Sequence, residues 1–428
     1  MTADGSVTPT WWPCPARASI LGCRLSALNV FAGGGAVRVL FSSTPAVGHV
    51  QPMLPLALHL KAAGHQVLWA TGADGGERVR ASGIDTALAG WTAPERLRAY
   101  RERWPKASSL QGEALTEHMF PRLFGLISAH AAFDDLLAIG RRYSPDVVIS
   151  EAGDFAAPIV AADLAVPQVT HAFGTIIPKE RVQAAAAETT DLWNKISQHP
   201  RPFGGCYDHL YLDIYPASLS AQDLSHIRRV QRVRPGSLNH RVGGELPADV
   251  AQLLGGDKPI LYLTFGTVFN NNPAFAAAVA AVARVPDIAA IVTVGPVGDP
   301  DMFGSQPPHV RIARYIPQDL LFPRCAVVIS HGGSGTVLGA LAAGIPQICL
   351  PQAADQFRNA RACTAAGAGV DLLGDAVTVT AVERQVGRVL NEESFRHGAQ
   401  KVADDIATMP TVADAAATIE ELVSTSAH

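Results

Sequence analysis

Residues 37–42 form a run of apolar, β-prone side chains, and residues 53–63 are apolar enough for a buried helix that Gly64 stops. A strand over 66–70 follows at once, so the pattern opens as strand, loop, helix, strand. The order returns at 146–150, 155–164 and 167–171, and unbroken apolar runs of this kind are what parallel strands covered on both faces require. Between these units Phe120, Leu123, Phe124, Ile127, Leu136, Leu137 and Ile139 recur at helical spacing, predicting an amphipathic helical insertion over 116–142 that lies on the first sheet. Around 232–258 the composition shifts to proline, glycine and charge, as in a connection between domains. Beyond it the alternation restarts, with strands at 260–265, 288–294, 310–315, 326–330 and 347–350 and helices at 273–284 and 336–343. The pattern therefore predicts an α/β protein with two doubly wound domains, 37–240 and 241–410. A closing helix in 411–428, begun by Pro410, is free to pack back across the cleft. Residues 1–36 show no sustained period and read as an extension that is disordered or results from a start assigned too early.

A length of 428 residues with 48% hydrophobic content suffices for two cores. Charged residues make up 17% and the net charge is -4, so no basic surplus exists to neutralise a nucleic-acid backbone or an anionic membrane. Neither polymer is an expected partner. Charged side chains, glycine or proline interrupt every candidate run for a spanning helix, such as 155–169, and no stable membrane insertion is expected. The six cysteines show no C-x-x-C pairing, and residues 1–36 lack the basic start and apolar core of a signal peptide. They read as reduced thiols of a cytoplasmic protein. Homodimerisation is left open.

The strongest chemical signal is His331-Gly332-Gly333-Ser334-Gly335-Thr336, directly after a buried strand and directly before a helix. Three glycines let the backbone approach an anion closely, and the helix aims unpaired N–H groups and its positive dipole end at it. Ser334 and Thr336 add hydroxyl donors, and His331 is able to donate to a phosphate oxygen that gains charge as its bond breaks. A Gly-rich βα turn is also common as plain structure. Downstream, Pro351-Gln352-Ala353-Ala354-Asp355-Gln356 ends a strand with an adjacent carboxylate and amide, a pair suited to sugar hydroxyls.

Together with Tyr315-Ile316-Pro317-Gln318, the region 314–360 resembles the donor signature of family 1 glycosyltransferases of the GT-B fold, in which two Rossmann-like domains face each other across a cleft. The likeness runs from about residue 37 to the C-terminus and is nearest to the bacterial enzymes that decorate natural products. It implies that Tyr315, where the family usually has Trp, stacks on the pyrimidine, and that Gln318 reaches base or ribose. It further implies that His331, Gly333, Ser334, Gly335 and Thr336 hold the diphosphate, that Thr267 in Phe265-Gly266-Thr267 reaches it from a second loop, and that Asp355 and Gln356 grip the sugar. Eight residues after the His, where UDP-using members carry a Glu for the ribose hydroxyls, this chain has Gly339. A ribose without its 2′-hydroxyl asks less of that position, which favours a dTDP-sugar over a UDP-sugar; the other reading is that Gly339 serves helix packing.

The loop Pro45-Ala46-Val47-Gly48-His49-Val50-Gln51-Pro52 joins the first strand to its helix at the C-terminal sheet edge, where open α/β folds place ligands. An imidazole there is suited to remove the proton of an attacking hydroxyl, and Gly-His-x-x-Pro matches the family's catalytic histidine. Glu151 at the same edge matches the family's partner for that imidazole, with Asp154 as the alternative; Glu151 would equally suit a solvated position or a cap for the helix near Phe155. Trp91, Phe120, Phe124 and Phe173 suggest a hydrophobic acceptor site, though each suits a core equally. No G-x-G-x-x-G follows the first strand, which counts against a nicotinamide enzyme. No His spacing suits zinc, and Asp299-Pro300-Asp301 reads as a turn, so neither metal nor cofactor is expected beyond a nucleotide-sugar co-substrate. The expected activity is inverting, metal-independent hexosyl transfer from a dTDP- or UDP-sugar to a hydroxyl of a hydrophobic aglycone. The alternatives are a nucleotide-sugar epimerase of the same fold and a non-catalytic helper protein.

Overall fold

A computed structural model of the chain describes residues 35–219, 223–236, 246–266, 272–296 and 298–426. Among them, seven parallel strands make the first sheet: β1 (Arg38–Ser42), β2 (Gln66–Thr71), β3 (Asp85–Leu88), β4 (Val147–Glu151), β5 (Gln168–His171), β6 (Leu210–Asp213) and β7 (Val230–Arg232), in the order β3-β2-β1-β4-β5-β6-β7. Six more make the second: β8 (Ile260–Thr264), β9 (Ala289–Thr293), β10 (Val310–Ala313), β11 (Cys325–Ser330), β12 (Gln347–Cys349) and β13 (Gly369–Asp371), in the order β10-β9-β8-β11-β12-β13. Each order reverses once, between β1 and β4 and between β8 and β11. At such switch points the loops leaving the strand ends part and open a crevice. The loop carrying His49 leaves β1, Glu151 is the last residue of β4, and the His331 loop leaves β11, so both reversals fall where chemistry was read. The extension at 1–34 and the domain connection at 240–241 lie outside the described residues, as do Cys14 and Cys23. Cys206, Cys325, Cys349 and Cys363 are free thiols.

The amphipathic insertion is one unbroken helix, Gly112–Tyr143. Its middle, Pro121–Ser128, is wound as a π-helix. Pro121 has no N–H to give, the Ser128 hydroxyl donates to the Leu123 carbonyl, and a Cβ at Gly125 would lie 2.2 Å from the Ala185 carbonyl oxygen, so only glycine lets the segment dock there. This corrects the expectation that every apolar run is interrupted. Pro121 does not break the helix, which by length and composition alone is long and apolar enough to cross a membrane; half of its most apolar stretch is buried in the protein.

The apolar core of the first sheet is continuous with the helices on one face of the second. Phe41, Trp69 and Ile149 belong to the same buried cluster as Val337, Val402 and Ile419. The closing helix, Val412–Ser426, packs on Leu54–Ala62 of the first domain, where Glu420 meets His65 at 3.0 Å and Glu421 meets Arg229 at 3.2 Å. The other face of the second sheet has its own core around Phe265, Phe275 and Ile329.

Candidate active site

His49 sits in a single helical turn, Val47–Val50, at the mouth of the first switch point. Its Nδ1 stands 3.0 Å from Oε1 of Glu151, which is 1% exposed. The pair misses hydrogen-bond geometry and stands as a close polar contact. Glu151 also accepts from the Thr44 hydroxyl at 2.8 Å, the Thr44 amide at 3.3 Å and the Gly153 amide. Burial alone would raise its pKa, but the contact with His49 and the donors from Gly153 and Thr44 outweigh it and hold the carboxyl below its ordinary range. Asp154 is differently engaged: Oδ2 accepts from Ser42 Oγ at 2.5 Å, and Oδ1 accepts the Ala156 and Ala157 amides at 3.0 and 3.1 Å, capping the following helix. Burial pushes its pKa up to about 6. Of the two candidate carboxylates, Glu151 faces the imidazole and Asp154 serves the backbone.

In the second domain the His331 ring lies between glycines. A Cβ at Gly333 would come 2.6 Å from His331 Nε2, and one at Gly266 3.0 Å from Cε1. Burial pulls the His331 pKa down to about 4, so the ring is neutral at physiological pH and a donor through one nitrogen only. Ser334 opens the helix Ser334–Ala342 and donates from Oγ to Asp355 Oδ2 at 2.6 Å. Asn359, fully buried, ties the cluster together: Nδ2 donates to Gly332 O, Ser334 Oγ and Asp355 Oδ2 at 2.8, 2.9 and 3.0 Å. Gln318 Nε2 donates to Thr336 Oγ1 at 3.1 Å. Gln356 turns to its own loop, accepting the Gln352 and Ala353 amides at 2.7 and 3.0 Å, while Ala354 holds φ +57° beside it. Gly335 has open space around it and Tyr315 is 54% exposed at the edge. Thr267 lies outside the described residues.

The two half-sites touch. A Cβ at Gly174, in the loop after β5, would lie 2.1 Å from Ser334 Oγ and 3.0 Å from Asp355 Oδ2. Tyr215 of the first domain donates to Asn359 Oδ1 at 3.0 Å, and Arg358 of the second donates to the Ile176 carbonyl at 2.8 Å. The paired switch points and the glycine loop at a helix N-terminus suit a ligand that carries phosphate. Residues 277–422 match the family model "Erythromycin biosynthesis protein CIII-like, C-terminal domain". The elloramycin glycosyltransferase ElmGT of Streptomyces olivaceus is 32% identical over 395 residues, covering 89% of this chain and 96% of that protein. The chain belongs to the natural-product glycosyltransferases. Among solved structures, this glycosyltransferase resembles SsfS6 of Streptomyces sp. SF2575 in complex with thymidine diphosphate (TM-score 0.70, 27% identity, 90% of this chain and 99% of that one). It also resembles the spinosyn rhamnosyltransferase SpnG in complex with spinosyn aglycone (TM-score 0.74, 26% identity, 90% and 100%). Both likenesses extend over the two domains and match its GT-B fold.

The aromatic residues of the glycosyltransferase divide by depth. Phe124 stacks on the His49 ring with centroids 5.3 Å apart, and Phe173 lies 4.3 Å from it on a tilted plane. Phe120 is one ring further in, 4.8 Å from Phe124 and edge-on to Phe155, and belongs to the core. Trp91, 37% exposed, lines a small cavity beside Thr44. In the second domain a Cβ at Gly339 would lie 2.8 Å from the Phe322 ring, so that ring fills the space a longer side chain would need. Asp299 accepts the Asp301 amide at 3.1 Å in a short turn. Asn359, Gly174 and Arg96 escaped the sequence reading. Each matters through a partner distant in the chain, and no local pattern marks them.

Proposed function

We propose that the enzyme transfers a hexose from a dTDP-sugar to a hydroxyl of a hydrophobic small-molecule aglycone with inversion at the anomeric carbon. His49, oriented by the Glu151 carboxylate on Nδ1, takes the acceptor proton on Nε2. The acceptor oxygen then attacks the anomeric carbon from the face opposite the phosphate. The diphosphate leaves toward the Ser334 amide end of its helix, with Ser334, Thr336 and neutral His331 as further donors, so the developing charge meets fixed dipoles and no step is routed through a metal. Asp355, now engaged by Ser334 and Asn359, is positioned to exchange those partners for sugar hydroxyls. The observation that carries the reading is the 3.0 Å contact of His49 with a buried, multiply bonded carboxylate, in a cleft whose opposite wall is the glycine loop. The thymidine diphosphate carried by the similar SsfS6 supports dTDP, while the packing of Phe322 on Gly339 accounts for that glycine by helix packing.

The test is turnover of dTDP-glucose and UDP-glucose, with and without a pool of phenolic and polyketide acceptors, by wild type and His49→Ala. Glycoside formation should fall by about 10²–10⁴-fold in the variant while dTDP still binds. Release of an epimerised donor would identify an epimerase, and nucleotide binding without turnover a helper protein. A tenfold calorimetric preference for UDP, about 1.4 kcal/mol, would overturn the donor assignment.

A further inference from the structure

Arg96 takes no part in the chemistry above, yet it is only 4% exposed. Its Nε donates to Ser128 Oγ at 2.7 Å, and its guanidinium carbon stands 5.3 Å over the same Phe124 ring that stacks on His49. That bond to Ser128 is the only side-chain hydrogen bond Arg96 makes among the described residues, so its terminal nitrogens have no protein acceptor. The side chain lines a cavity of about 20 Å³ together with Thr44, Trp91, Gly153 and Asp154. Of the neighbouring carboxylates, Asp154 is engaged by Ser42 and two amides and Glu151 by His49, Thr44 and Gly153, while Asp74 accepts the Ala93 amide at 3.0 Å through Oδ2 and leaves its buried Oδ1 without a hydrogen bond. Burial lowers the Arg96 pKa to about 10, against the pull of those three acids, so it remains a cation in neutral solution.

A buried cation with unmade hydrogen bonds is costly unless something completes it. The cavity admits about one water-sized atom, and the guanidinium fork suits an anionic oxygen. The cavity shares Thr44 and Gly153 with the donors of Glu151 and has Trp91 as an aromatic wall, and the Phe124 ring under the guanidinium stacks on His49. We infer that Arg96 binds an anionic oxygen of the acceptor, a carboxylate or phenolate on a flat aryl scaffold, beside the hydroxyl that is glycosylated. This rests on the acceptor occupying the His49 side of the cleft.

The probes are a hydroxynaphthoate with its carboxylate next to the hydroxyl and the naphthol that lacks it. By calorimetry, wild type should bind the hydroxynaphthoate about tenfold more tightly. Arg96→Gln should bring the two within about threefold with dTDP affinity unchanged, and Arg96→Lys, charged but without the fork, should retain part of the preference. Equal affinities of the two probes for wild type would overturn the assignment, whether or not any variant folds. An equal loss of both probes in Arg96→Gln would also overturn it, making Arg96 a support for Phe124 and Ser128. Preference abolished by Arg96→Gln without sugar transfer to either probe would leave this assignment standing and remove the transferase reading. Transfer to both probes without preference would do the reverse.

Discussion

Glu151 and Asp154 are three positions apart and both buried, yet they reach opposite states because their partners differ. Glu151 has an imidazole and three donors from Thr44 and Gly153, which overcome desolvation; Asp154 has a hydroxyl and two amides but no cation in contact, and desolvation prevails. Glu151→Gln should therefore cut transfer by about 10²-fold or more with dTDP affinity unchanged, whereas Asp154→Asn, which keeps an oxygen for the helix cap, should leave the rate within about threefold. Steady-state kinetics and calorimetry on the two variants check both. Two buried histidines set a pH dependence of stability. His171, with its ring on the Ala172 carbonyl at 2.6 Å, and His331 are both pulled down to about 4 by burial. Each binds fewer protons folded than unfolded between those limits, so its contribution is present above the ordinary histidine pKa of ~6.5 and is lost as pH falls toward 4. His171→Gln should flatten the fall in the urea midpoint over that window. His49 and the glycine loop could be read from the chain because their signals are local. Arg96 and Asn359 could not, since what distinguishes them is burial among distant partners.

Helices and loops here depend on a few positions where a side chain has no room. Gly174→Ala would drive a methyl group into Ser334 and Asp355, so the loop after β5 must retreat and the half-sites separate. The expected result is a drop in kcat with nearly unchanged affinity for acceptor alone, read by kinetics and by acceptor titration. Gly339→Ala presses on Phe322 and should destabilise by about 1–3 kcal/mol, with thermal unfolding partly restored by adding Phe322→Leu. Strand legibility follows the same physics of burial. β1, β4, β8 and β11 are central, covered on both faces, and announce themselves as apolar runs. β3, β7 and β13 are edge strands of three or four residues with partly exposed side chains, too short to carry a period. β6 is fully buried but only four residues long, Leu210–Asp213, and no periodic stretch beside it marks it out. The π-helical turn was illegible because it is imposed by Pro121, the Ser128 hydroxyl and the docking of Gly125 on Ala185, none of which changes the apolar spacing.

At the scale of the whole molecule, a single apolar cluster passes from the first domain through the C-terminal helices into the second, and the two sheets are expected to unfold together. Removing residues 411–428 would uncover the partners of Ala416, Ile419 and Leu422 and should cost on the order of 3–6 kcal/mol, lowering the urea midpoint of the whole chain rather than of one half. The helix Val412–Ser426 follows the second domain along the chain but rests on Leu54–Ala62 of the first. Recombining this enzyme with a relative to change its acceptor is therefore not a single-crossover operation. A hybrid that takes the first half from one parent and everything after the linker from the other inherits a tail evolved for a different surface. Engineers should return to the first parent for the closing helix, with a second junction near Pro410.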